Sequence, residues 1–215
     1  MMRFMSLSSG SCGNCYYLEN ENDGVRNAVL IDAGVSLRRL KQILMRNGLD
    51  ENSFSAILVT HDHMDHIRSL ASYCKRLSKP VYATAELHSA LAGRNFGRCV
   101  RILTEGEWNN VAGFSVKYFE VPHDATQTVG YHILSNDHKF VIMTDLGRMT
   151  EEALAYASEA DTVVIESNYD VDMLMGGPYP HELKMRICQG HGHLSNDECD
   201  ADMKKFWHPG LRNLF

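Results

Sequence analysis

Short apolar runs alternate along this chain with helix-spaced stripes and polar turns. Phe4–Leu7 reads as a strand that gives way to a Ser8–Ser11 turn. Cys15–Glu19 and Asn27–Asp32 read as paired strands around a turn at 21–24, where Asn, Asp and Gly interrupt the apolar pattern. Ser36 then caps a helix with Leu37, Leu40, Ile43 and Leu44 on one stripe. Ala56–Val59 is apolar throughout, the mark of a buried strand, and a helix with Ile67, Leu70, Tyr73, Cys74 and Leu77 inward is expected after it. Pro80–Thr84 is a strand and Glu86–Leu91 a short helix. The second half repeats the style, with strands at Val100–Leu103, Phe114–Val121, Val129–Leu134, Phe140–Thr144 and Thr162–Glu166. Helices are expected at Glu151–Ala157, Glu182–Ile187 and Asn196–Phe206, and Leu211–Phe215 reads as the entry to a further strand that is cut short. Strands in both halves with helices among them predict an α/β (α+β) fold, two sheets packed together and covered by helices, an αββα sandwich. No repeat or linker interrupts the pattern, so 1–215 is read as a single domain.

The chemistry concentrates where the strand Ala56–Val59 ends, in Thr60-His61-Asp62-His63-Met64-Asp65-His66. His61 and His63 are two positions apart and share one side of an extended strand end. Asp65 and His66 follow on the turn that opens the next helix. This density suits two neighbouring divalent ions, an arrangement used to split phosphate esters and activated carbonyls. A polar, His-rich loop is the bland alternative, and it leaves the density unexplained.

Composition narrows the setting. The 215 residues carry a formal charge of −6, which speaks against a broad basic surface for gripping nucleic acid, although bound cations can supply positive charge where a phosphate sits. No apolar stretch reaches the ~18 residues of a membrane helix, and the opening residues lack a signal-peptide core. Six scattered cysteines read as free thiols in a reducing cytoplasm, Cys12 and Cys15 included despite their C-x-x-C spacing.

Further candidates sit at other strand ends. His123 follows Glu120-Val121-Pro122, and Asp145 follows Ile142-Met143-Thr144; beside the His-rich motif both become candidate metal ligands. Asp32 either accepts the ring N–H of a ligating histidine or simply turns the chain before Ala33-Gly34. His193, just before Ser195, either serves a leaving group or second metal, or lies idle on a loop. Ser9 and Ser11 offer hydroxyls for a phosphate oxygen, although a plain turn between strands uses the same residues and is the slightly favoured reading. His88, His132, His138, His181 and His208 read as surface or packing residues.

His61, His63, Asp65, His66, His123 and Asp145 resemble the ligand series of the metallo-β-lactamase-fold hydrolases. The ordered segments Ser6–Asn14, Val121–Ala125, Thr144–Gly147, Glu166–Asp170, Gly177–Pro180 and Gly192–Asn196 are similar to the YycJ/WalJ subfamily of that fold. The resemblance implies a cytoplasmic, metal-dependent hydrolase of phosphodiester bonds, a 5′-to-3′ DNA exonuclease, with two divalent ions, zinc or manganese. It implies the six residues as metal ligands, Asp65 also as a catalytic group, and His193 as the proton donor to the departing oxygen. A small-molecule hydrolase acting on a cyclic phosphodiester, thioester or lactone is the alternative of the same fold, and a non-catalytic DNA-end-binding regulator that of another class. Two departures stand out: Tyr169 occupies a position where the family usually has His, and the family continues past the equivalent of Phe215 to a second His-Leu-Ser motif. A C-terminally truncated chain lacking the last histidine of the second metal site is therefore expected.

Overall fold

Apolar strands of this kind need both faces covered, and they are assembled here into two sheets carried by two compact units, Met1–Val116 and Lys117–Phe215. The computed structural model describes residues 2–22, 24–94 and 97–215.

In the first unit, β1 (Met2–Ser8), β2 (Cys15–Asn22) and β3 (Val25–Ile31) form an antiparallel meander. Asp23, in the turn expected between the last two, lies outside the described residues. The chain then becomes a parallel α/β unit: α1 (Leu37–Arg46), β4 (Ala56–Leu58), α2 (Met64–Ile67), α3 (Leu70–Leu77), β5 (Val81–Ala83), α4 (Ala85–Ala90) and β6 (Val100–Ile102). Sheet order follows sequence order from β1 to β6. Ser36 caps α1 by accepting from the Arg39 N–H, and Leu40 and Leu44 are buried. β7 (Asn109–Val111) pairs with the opening residues of β8 (Phe114–Glu120).

In the second unit the sheet order is β12-β11-β10-β9-β8, comprising β9 (Val129–Ser135), β10 (His138–Met143), β11 (Thr162–Ile165) and β12 (Asn213–Leu214). Four helices accompany it: α5 (Glu151–Ala157), α6 (Val171–Gly176), α7 (His181–Cys188) and α8 (Asn196–Phe206). α5 and α8 bury Ala153, Ala157, Cys199 and Phe206 in one cluster with Val141, Met143, Val163 and Ile165. Ser195 and Glu198 close a reciprocal capping box at the start of α8.

Two expectations need correction. The helix after the His-rich motif is not continuous: it divides into α2 and α3 at Arg68-Ser69. The reason is tertiary, since the Ser69 N–H donates to the Ala33 carbonyl at 3.0 Å. β7 and α6 were not expected at all. Among the described residues no helix is long and apolar enough to cross a membrane.

Candidate metal centre

The first unit gathers its ligand-type residues where β3 and β4 end. His61, fully buried, packs its ring 4.8 Å from that of His63 and 4.0 Å from that of His66. Asp65 Oδ2 is 3.7 Å from His66 Nε2. The backbone is held by long-range bonds: Ala33 N–H to the His66 carbonyl at 2.7 Å, and Asn14 N–H to the Asp65 carbonyl at 2.7 Å. Gly34 fits this crossing because it has no side chain; a Cβ there would stand 1.6 Å from the Asp65 carbonyl oxygen.

Asp32 organises the cluster from beneath. It is fully buried in a left-handed conformation, φ 64°, which Asp tolerates better than most residues. Oδ1 accepts the Thr60 N–H at 2.9 Å, and Oδ2 accepts the Thr60 hydroxyl at 2.8 Å and the His66 Nδ1–H at 2.7 Å. The Thr60 hydroxyl has a single proton, which it gives to Asp32. Toward His61 Nδ1, 2.9 Å away, it can only accept. One carboxylate therefore places the ring proton of both His61 and His66 on Nδ1 and leaves a lone pair on each Nε2.

In the second unit His123, Asp145 and His193 come together, each offering one ligand atom with all three within 4.8 Å of one another. His123 Nδ1 donates to the Gly192 carbonyl at 2.6 Å, so its Nε2 also keeps a lone pair. Burial pushes His123 below the usual histidine range, more than Asp145 and the Gly192 carbonyl raise it, and that favours a neutral imidazole. Asp145 has φ 52°, a second strand-end aspartate in the left-handed region. His193 Nδ1 lies 2.7 Å from Glu166 Oε1. Burial alone would lower His193, but the hydrogen bond and charge of Glu166, with Asp145 and Asp124, outweigh it and hold the ring above its ordinary value. Asp124 also pairs with Arg186 Nε.

Ser9 and Ser11 are exposed on their turn, with Ser9 Oγ 3.4 Å from the Tyr16 hydroxyl. The N–H groups of Gly10 and Gly13 are used inside that turn, so it offers hydroxyls more than backbone donors. Cys12 and Cys15 are both free thiols. His88 and His132 are buried, and His138, His181 and His208 make no part of either cluster.

Two residues of these clusters were not singled out from sequence. Asn14 Nδ2 approaches His66 Nε2 at 2.8 Å and Asp65 Oδ2 at 3.1 Å. Glu166 Oε2 accepts the N–H of Leu146 at 2.8 Å and of Leu194 at 3.2 Å, so one carboxylate anchors the residues next to both Asp145 and His193. Their signal lay only in the segments Gly13-Asn14 and Glu166-Ser167-Asn168.

Comparison with known proteins bears on both clusters. The family model described as "Beta-lactamase superfamily domain" matches residues 27–203. The chain is 30% identical over 201 residues to "Exodeoxyribonuclease WalJ" of Streptococcus pneumoniae serotype 2 (strain D39 / NCTC 7466), covering 91% of this chain and 73% of that protein. It is 32% identical over 205 residues to "Exodeoxyribonuclease YycJ" of Bacillus anthracis, covering 94% and 76%. Among solved structures it is similar to the metallo-β-lactamase fold protein YhfI from Bacillus subtilis, with a TM-score of 0.72, 14% identity, and 99% and 83% of the two chains covered. The expected fold class is thereby borne out.

Proposed function

Since this chain belongs to the β-lactamase superfamily domain family, we propose that it is a metal-dependent nuclease, a 5′-to-3′ DNA exonuclease of the cytoplasm. One observation carries the reading: relatives 30 and 32% identical to it over alignments that span more than nine-tenths of its length are named exodeoxyribonucleases.

The donor set fits divalent metal. His61, His66 and His123 each carry their ring proton on a bonded Nδ1, which leaves the Nε2 lone pair to ligate; at His66 a metal would take the place of the Asn14 Nδ2–H that Nε2 accepts at 2.8 Å. Imidazole with carboxylate suits zinc and manganese. In this proposal His61, His63, Asp65, His66, His123 and Asp145 are the side chains that would hold divalent metal. Bound there, the ions supply Lewis acidity and lower the pKa of water at a phosphodiester.

The chain's own residues do the rest. Asp32 and Thr60 keep two imidazoles in the ligating tautomer. Asp65 accepts a proton from the attacking water. His193, steadied through Nδ1 by Glu166, gives the proton on Nε2 to the departing oxygen. Ser9 and Ser11 bind phosphate oxygens through their hydroxyls. Protein stripped with chelator should leave DNA intact and recover cleavage on adding Mn²⁺, with about two ions per chain by elemental analysis. Equal cleavage by stripped and loaded protein would refute the reading.

A further inference from the structure

The formal charge of −6 hides an uneven distribution. α1 holds four basic side chains, and the stretch from α3 to Lys79 holds three more, with no acidic residue in either. A groove of about 790 Å³ is lined by Arg38 and Lys41 of α1, by Arg76 of α3 and by Lys79. Leu37 and Leu77 add apolar lining, and Glu51, the acidic residue of the groove, is held by Lys41 Nζ at 2.6 Å. Arg38 and Arg76 are exposed and have no hydrogen-bond or ion-pair partner among the described residues. Lys79 Nζ sits 5.3 Å over the Phe54 ring. Two arginines without side-chain partners among the described residues and Lys79 therefore line one concavity. Like charges lining one concavity repel each other, and the positive field they create there draws in an anion.

The groove is also tied to the candidate catalytic cluster of its own unit. Besides the Ser69–Ala33 bond, the Tyr73 hydroxyl of α3 donates to the Val35 carbonyl at 2.7 Å, just ahead of α1. Ala33 is bonded in turn to His66 at 2.7 Å. Arg76 lies seven residues beyond Ser69, about 10 Å along a helix at ~1.5 Å per residue. That is roughly three nucleotide steps at ~3.4 Å per step of one strand.

We infer that this groove binds the phosphodiester backbone of DNA a few nucleotides from the bond being cut, with Arg38, Arg76 and Lys79 as the phosphate contacts. The inference rests on the nuclease reading and deepens it: the acidic chain holds a polyanion by concentrating its cations in one place. Guanidinium groups match phosphate oxygens in pairs, so the arginines dominate.

The test is the triple variant R38Q/R76Q/K79Q, set against wild type in metal-free buffer across a salt series. Fluorescein-labelled duplex and single-stranded DNA are the two probes. The slope of log affinity against log salt should fall by ~2.7 on duplex or ~2.1 on single strand, at ~0.9 or ~0.7 per lost contact. Which probe shows the full loss identifies the strand state that occupies the groove. Hydrolysis of bis(p-nitrophenyl) phosphate should stay unchanged, and R38K/R76K should keep most of the slope. Identical affinity and slope in both arms would overturn the inference, and so would a parallel loss of small-ester hydrolysis, which would place the effect in the catalytic cluster. If wild type cuts DNA and the triple variant binds normally, only the groove fails. If the triple variant loses binding while wild type never cuts DNA, only the nuclease reading fails.

Discussion

Asp32→Ala should be among the most damaging single changes in this chain, for reasons that can be worked through bond by bond. The substitution removes the acceptor of three buried hydrogen bonds, from Thr60 N–H, the Thr60 hydroxyl and His66 Nδ1–H. Each donor left buried without a partner costs ~1–3 kcal/mol, and the hydroxyl can rotate to recover part of its share. At the middle of that range for the two N–H donors, and less for the hydroxyl, loss of the bonds amounts to about 3–5 kcal/mol. Alanine at φ 64° adds roughly 1 kcal/mol that aspartate tolerates better. A total of about 4–6 kcal/mol is a large fraction of a typical domain's ~5–15 kcal/mol. Asp32→Asn keeps the backbone tolerance and one good acceptor, so about half that loss is expected. Urea denaturation followed by circular dichroism measures both. The two variants should also bind zinc ~10–100-fold more weakly in competition with a chromophoric chelator, because the tautomers of His61 and His66 are no longer imposed. An unchanged denaturation midpoint together with unchanged zinc affinity in Asp32→Ala would refute the reasoning.

Gly34→Ala should fail to accumulate as folded protein, since its Cβ would fall 1.6 Å from the Asp65 carbonyl oxygen and 2.6 Å from Asn14 N; solubility and thermal unfolding report this. Glu166→Gln can keep its oxygen on the Leu146 and Leu194 N–H groups only by turning its NH2 toward Asn168 Nδ2 and His193 Nδ1, and should lower stability by ~1–3 kcal/mol in denaturant while broadening the His193 ring signals in NMR. Ser195→Ala removes the capping box of α8 and should cost ~1 kcal/mol by thermal melting, with metal content unchanged. Asp145→Ala should lower metal content and DNA cleavage together; retention of both ions with cleavage lost would contradict its assignment as a metal ligand.

Much of this was legible in the sequence because the relevant signals are local. His61, His63, Asp65 and His66, all of ligand type, fall within six residues, a density visible without tertiary information, and the Ser36 and Ser195 caps follow from residue type beside an apolar stripe. What escaped was determined at a distance. β7 contains two asparagines in Asn109–Val111 and reads as a turn until Val111 pairs with Phe114. α6 is short and exposes Met173 and Met175, so no amphipathic stripe announces it. The break between α2 and α3 is set by Ala33, far upstream of both. Glu166 is an ordinary strand-end glutamate until it meets Leu146, His193 and Leu194, and Asn14 is a turn residue until it meets Asp65 and His66. Net charge speaks only to the surface as a whole, and it averages away the basic lining that α1 and α3 give to one groove.

The central claim is most directly tested with a 3′-labelled duplex bearing a 5′ phosphate, incubated with the Mn²⁺-loaded protein and resolved on a denaturing gel. Progressive shortening of the labelled strand from its 5′ end, with release of mononucleotides, is the predicted result. An intact labelled strand in the presence of protein shown to carry two ions per chain would contradict it.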